Sequence, residues 1–131
     1  MIGIDSNILL RWIIDDPSSP EQSRKVRERL SGEMAPLYIN HVVLAETIWV
    51  LQHPARVGPD AVAAIVATLI EAPNIRLQQP DVVEGALAAF TEASGGFTDH
   101  LIGALNRGAG CTTTLTFDRA AAKSAAFTEL Q

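Results

Sequence analysis

Apolar residues along this chain fall into two rhythms. Four runs, Met1 to Ile4, Leu37 to Ile39, Asn74 to Leu77 and Thr112 to Leu115, are short enough for strands. Between them lie longer stretches whose apolar positions recur three or four apart, the spacing of one helix face. Ile8, Leu9, Trp12 and Ile13 follow that spacing until Asp15-Asp16-Pro17 stops it. Pro20 to Leu30 is charged, with Val26 and Leu30 four apart, and predicts an exposed helix closed by Ser31-Gly32. Asn40 is placed to cap a helix over His41 to Gln52. Beyond the turn signals His53-Pro54 and Gly58-Pro59, Asp60 to Glu71 reads as a packed helix, and Asp81 to Ser94 as another ended by Gly95-Gly96. Phe97, Leu101, Ile102 and Leu105 give the next helix its apolar face, which Arg107-Gly108-Ala109-Gly110 closes. A last helix is predicted over Arg119 to Ala126.

Strands alternating with helices, each strand apolar enough for both faces to be covered, predict an α/β protein built on a parallel sheet. Two helical stretches separate the second strand from the third, so a simple repeating βα unit fails there. No internal repeat or linker interrupts the pattern, and 131 residues with 47% hydrophobic content fit one domain over residues 1–131. Aromatics make up only 5%, which leaves packing to Ala, Leu, Ile and Val. The single cysteine, Cys111, has no intrachain partner, and no apolar run reaches bilayer length or resembles a leader. A cytoplasmic protein is expected. The net charge of −5 argues against passive nucleic-acid binding, so any such contact requires local cations or metal ions.

Four acids then demand explanation. Asp5 ends the first strand and Asp118 follows the last, each just before a helix, while Asp99 opens the helix of Leu101 to Arg107. In open parallel sheets ligands bind beyond the carboxyl ends of the strands, so these positions can share one edge. Each is also where an acid caps a helix, a local role worth about 1 kcal/mol. Glu46 is the sole charge between Leu37 and Gln52, in "YINHVVLAETIWVLQ". If buried it needs a cation, donor or metal, because an unpaired buried carboxylate costs several kcal/mol, roughly. If its helix lies edge-on, it is an ordinary exposed acid. Convergent carboxylates would repel one another until a hard divalent cation reversed the balance, and oxygen-only ligands suit Mg²⁺ or Mn²⁺ rather than zinc. Such ions serve in-line phosphodiester cleavage. Ser6, Asn7 and Thr116 would orient the carboxylates or bound water.

In their order and spacing, "GIDSNILLRW", "VLAETIWVL", "FTDHLIGAL" and "GCTTTLTFD" resemble the PIN-domain ribonucleases, specifically the VapC toxins of bacterial toxin–antitoxin pairs, from Ile2 to Lys123. The resemblance implies an α/β/α sandwich with a central, mainly parallel sheet, Mg²⁺-dependent endoribonuclease activity, a homodimer and neutralisation by a VapB-like antitoxin. By position it makes Asp5, Glu46, Asp99 and Asp118 a catalytic, metal-binding quartet. Asp5 and Asp99 would ligate directly, Glu46 directly or through water, and Asp118 would complete the site. Ser6 stands where the family often has Thr, and His100 where a small residue often follows the acid.

Arg11, Arg107 and Arg119 are candidate RNA-phosphate contacts, although each has the alternative of a solvated surface charge. Arg24, Lys25, Arg27 and Arg29 are interleaved with Glu21 and Glu28 and read first as a soluble face, then as an RNA or antitoxin contact. His41 and His53 read as capping or surface residues. Two other functions remain open. A Mg²⁺-dependent phosphatase or phosphotransferase would use Asp5 as nucleophile, although "DSN" lacks the second acid usual two residues on. A non-catalytic oligomerising scaffold would leave Glu46 unexplained. No glycine-rich dinucleotide or P-loop motif is present.

Overall fold

A computed structural model describes every residue, Met1–Gln131. Its elements run β1 (Ile2–Gly3), α1 (Ser6–Ile13), α2 (Pro20–Ser31), β2 (Leu37–Ile39), α3 (His41–Gln52), α4 (Pro59–Glu71), β3 (Ile75–Leu77), α5 (Pro80–Glu92), α6 (Phe97–Gly108), β4 (Thr114–Thr116), a 3₁₀ turn (Ala121–Lys123) and β5 (Phe127–Glu129). The class is α/β, with helices covering parallel strands, as the alternating pattern predicts.

β1, β2 and β3 form one parallel sheet with β2 in the middle, and Leu37 of β2 pairs with Ile2 on one side and Ile75 on the other. Leu37 and Ile39 are buried, as are Ile75 and Leu77 of β3. They meet Leu44, Ile48 and Leu51 of α3, Val62 and Val66 of α4, and Phe97 and Leu101 of α6 in one core. Because all three strands run the same way, their carboxyl ends share an edge. There β1 leads through Asp5 into α1 and β2 through Asn40 into α3. Asn40 caps α3 by accepting the Val43 N–H at 2.8 Å. His41 ties that helix start to the end of β3: its backbone N–H donates to Gln78 Oε1 at 2.9 Å and its Nε2 to the Gln78 carbonyl at 2.8 Å.

One expectation is corrected. The last helix predicted over residues 119–126 is only a 3₁₀ turn, and the chain then forms a fifth strand. That strand pairs in parallel with β4, Leu115 opposite Thr128, in a two-stranded sheet of its own. Phe127 accounts for the change. It is buried against Gly103 of α6, so close that a Cβ on Gly103 would lie 2.7 Å from the ring, and this anchor holds the segment extended. The alanines of 120–126 carry helix propensity, but a single turn is too short to stand alone.

Candidate active site

Asp5 is the N-cap of α1, but it caps sparingly. Its Oδ1 accepts the N–H of its own neighbour Ser6 at 2.7 Å, and Oδ2 takes no hydrogen bond from the protein. The Ser6 hydroxyl, one turn-start beyond, donates to Glu46 Oε2 at 3.0 Å and lies 3.4 Å from Asp5 Oδ1. One hydroxyl carries one proton, so it satisfies one of the two carboxylates at a time. Glu46 is exposed, which settles its helix face: Val42, Glu46 and Trp49 form the outward stripe of α3, while Val43, Leu44, Thr47, Ile48 and Leu51 turn inward. The burial that would have forced a partner on Glu46 does not occur, and its partner comes instead from α1.

Asp99 arrives from a different direction. α6 starts at Gly96 with no side-chain cap of its own, and α3 supplies one: Gln52 Oε1 accepts the Phe97 N–H at 3.0 Å. Next to it the Thr98 hydroxyl donates to the carbonyl of Ala45, the residue before Glu46, at 3.2 Å. These two bonds clamp the first turn of α6 against α3 and bring Asp99, half-buried, to the helix that carries Glu46. The Asp99 carboxylate lies over the helix start, where a Cβ on Gly96 would stand 3.5 Å from its Oδ2. An acid in the first turn also suits the positive end of the helix dipole. His100 beside it is buried and bonds to none of the acids. Its Nε2 donates to the Ser94 carbonyl at 2.9 Å and its ring meets Phe90 edge-on, which braces the Ser94–Gly96 turn.

Asp118 joins this arrangement only at its margin. Its Oδ1 accepts the Ala121 N–H at 2.9 Å, capping the 3₁₀ turn, and its own N–H donates to Thr116 Oγ1 at 3.0 Å. Ala121 in turn packs on Gly95, whose φ of +106° suits glycine. The Gly95–Gly96 turn therefore stands between the Asp118 turn and Asp99. Asp5 and Glu46 are linked through the Ser6 hydroxyl, Asp99 is joined through the backbone of α3, and Asp118 is not bonded to any of them. Of the supporting residues, Ser6 and Thr116 make the bonds described, while Asn7 contributes its carbonyl to Arg11 Nη1 at 3.4 Å.

The chemistry of the set is clear from what it lacks. None of the four acids has a salt-bridge partner, and each keeps at least one oxygen that no protein group hydrogen-bonds. Most other bonded acids of the chain differ: Glu21, Glu28, Asp15 and Glu33 hold arginines. Free, uncompensated carboxylate oxygens fit a hard divalent cation. No three acidic, His or Cys side chains stand close enough to form a ready cage. Mg²⁺ tolerates this, because it is usually held by one or two carboxylates and keeps several waters.

The arginines divide differently from expectation. Arg11 and Asp5 line the same wall of a cleft between α1 and α2, whereas Arg107 lies at the far end of α6, about 12 Å along the helix from Asp99. Arg119 is exposed and pairs loosely with Glu129 at 3.6 Å. Sequence reasoning missed Gln52 and Thr98, whose only signal is a donor-acceptor pair next to acids, while Lys25, read first as part of a soluble face, lines the same cleft as Asp5.

No helix is long and apolar enough to cross a membrane. The chain matches no curated protein. The profile of the PIN domain, a nuclease-type fold, matches residues 2–127 and so covers all four acids and every element that positions them. The chain belongs to the PIN-domain family.

Proposed function

We propose that this protein is a Mg²⁺-dependent endoribonuclease of the VapC type, a cytoplasmic toxin that acts as a homodimer and is restrained by a VapB-like antitoxin. The observation that carries the nuclease reading is the Ser6 hydroxyl shared between Asp5 and Glu46, two carboxylates brought to one donor with a salt bridge to neither. Proteins rarely hold unneutralised acids together without a ligand for them. Asp5 and Asp99 would hold the ion, Mn²⁺ serving as well as Mg²⁺, with Glu46 reaching it through bound water and Asp118 at the margin. When bound, the metal lowers the pKa of water and neutralises charge on the phosphoryl oxygens.

The chain's own part is positioning. Ser6 orients whichever carboxylate it bonds, and the Gln52–Phe97 and Thr98–Ala45 bonds fix the height of Asp99 on α3. A carboxylate oxygen left free by this arrangement accepts a proton from the attacking water. The exposure of Asp5 and Glu46 leaves room for a polymer to reach them. Apolar Val42 and Trp49 flank Glu46 on the exposed stripe of α3, and Ile102 on α6 is also exposed, which supports self-association beside the site.

The test compares wild type, Asp5→Asn and Asp99→Asn on RNA and on a phosphomonoester, with Mg²⁺ and with chelator. Metal-dependent RNA cleavage lost in both variants is expected. Turnover of the phosphomonoester alone would overturn the reading in favour of a phosphatase, and inactivity of antitoxin-free protein on both substrates would favour a scaffold. Growth arrest on expression, relieved by a small protein encoded next to it, is the expected sign of the toxin role.

A further inference from the structure

The cations of α2 sort into two kinds. Arg24 bonds Glu21 and Glu28, Arg27 bonds Asp15, and Arg29 bonds Glu33 at 2.7 Å, so three of the four are neutralised within the fold. Lys25 has no acidic partner. It points instead, with Gln22, into a cleft of about 600 Å³ between α2 and α1, whose opposite wall is Asp5, Asn7 and Arg11.

Arg11 is in the same condition. Its single hydrogen bond is the long one from Nη1 to the Asn7 carbonyl, and its Nε is buried with no acceptor. Asp16 feels its charge but does not reach it as an ion pair. A guanidinium with an unfilled donor is costly to keep unless something else fills it. Thus the cleft beside Asp5 brings together two cations that the fold leaves without acidic partners, and a glutamine to go with them. Their donors suit an anion with several acceptor oxygens, and Asp5 stands at the cleft's end.

We infer that this cleft binds the phosphate next to the one cleaved, with Arg11 and Lys25 gripping the RNA backbone as it leaves the acidic site. The inference rests on the nuclease reading above. A phosphate fits better than a carboxylate side chain because the donors are spread over two helices. The cleft also opens at the proposed cutting point, so the same strand passes both. Backbone contacts of this kind position RNA without reading its sequence.

The experiment measures binding of fluorescent single-stranded RNA, with Ca²⁺ replacing Mg²⁺, over a range of salt, for wild type, Lys25→Gln, Arg11→Gln and the paired-cation control Arg29→Gln. Lys25→Gln is the primary variant because Lys25 is exposed and its loss leaves the core intact. Lys25→Gln and Arg11→Gln are expected to weaken binding equally across unrelated sequences and to flatten the salt dependence of log K by about 0.7 each. They should raise KM more than they lower kcat, and Arg29→Gln should match wild type. If wild type cleaves RNA while both variants bind as Arg29→Gln does, the inference is overturned and the nuclease reading stands. If they bind RNA normally but lose binding to polyglutamate, the cleft belongs to an acidic protein partner. If wild type neither binds nor cleaves RNA, both readings fall.

Discussion

The Ser6 hydroxyl donates to Glu46 Oε2 across 40 residues of chain, at 3.0 Å, while its own neighbour Asp5 stands 3.4 Å away on the same oxygen. This contact joins the start of α1 to the exposed stripe of α3. It also makes Ser6 the one neutral group between two anions.

Replacing Ser6 by alanine is therefore expected to leave the fold almost intact and the site impaired. The hydroxyl is only partly buried, so stability should change by about 1 kcal/mol or less. Loss of a group that orients metal-binding carboxylates typically costs 10–100-fold in metal affinity or activity, roughly. Mg²⁺ titration of RNA cleavage would measure it, and Ser6→Thr, which keeps the hydroxyl, should restore most of it. Equal losses in both variants would remove the hydroxyl from the account.

The charge itself has a separate signature. Asn caps helices as well as Asp does, so Asp5→Asn removes the anion while keeping the cap. Without divalent metal this variant should melt above wild type, since one repelling carboxylate is gone. With Mg²⁺ at a hundred times its dissociation constant, wild type should gain about 2.7 kcal/mol and the variant far less. Thermal melts with and without the ion would settle both. A wild type indifferent to Mg²⁺ would argue against a metal at these acids.

Much of this was readable in the sequence because it is local. Asn40 before an apolar run is a cap wherever it occurs, and α3 spans the expected His41 to Gln52. Local pattern failed where a distant contact decides. Residues 119–126 read as helix because alanine favours helix, and only the seat of Phe127 against Gly103 on another element turns the segment into a strand. The burial of Glu46 was undecidable for a related reason: its neighbours on the outward stripe, Val42 and Trp49, are themselves apolar, which hides which face is exposed. The four acids were visible one by one. Their mutual relation rests on Ser6, Thr98 and Gln52, pairings that no periodicity encodes.

Gln52 offers the sharpest test of that relation. It caps α6 from α3, and Phe97, whose N–H it accepts, is fully buried. Gln52→Ala should leave that donor unpaired at a cost of about 1–3 kcal/mol. It should also lower RNA cleavage more than the stability loss explains, because the turn carrying Asp99 loses one of its two anchors. Gln52→Glu keeps an acceptor and should recover the stability in urea unfolding.

Acid should loosen a different corner. The Ala35 N–H, then Arg29, hold Glu33 below its usual 4.5, and the Ser18 hydroxyl, then its N–H, hold Asp16 below 3.8. A carboxyl depressed in the folded state stabilises fully above its unfolded pKa, and that contribution is lost as pH falls through the folded value. The urea midpoint should therefore decline as pH drops below these ordinary values, and Glu33→Gln should flatten part of the decline. Both groups are only partly buried and solvent screens them, so the effect is small. An unchanged slope in the variant would show that Glu33 does not contribute.

Two helix glycines should respond to alanine in opposite directions. Gly85, exposed on α5, has nothing within 4 Å of a new Cβ, so Gly85→Ala gains helix propensity and should stabilise by about 1 kcal/mol. Gly103, buried on α6, offers the same propensity gain, but its Cβ would lie 2.7 Å and 3.1 Å from ring atoms of Phe127 and 3.2 Å from Ala126 Cβ. Overpacking of that kind costs typically 1–3 kcal/mol, about enough to cancel the gain or exceed it. Since the ring anchors β5, and β5 is the sole hydrogen-bonded partner of β4, the strain should also loosen the strand that leads to Asp118. Gly103→Ala is thus expected to be less stable than Gly85→Ala by about 1–3 kcal/mol in urea unfolding, with faster amide exchange in β4 and β5. Adding Phe127→Leu should relieve the crowding and narrow the gap. If Gly103→Ala proved as stabilising as Gly85→Ala, the close seat of Phe127 on α6 would be wrong, and with it the reason why this segment is a strand.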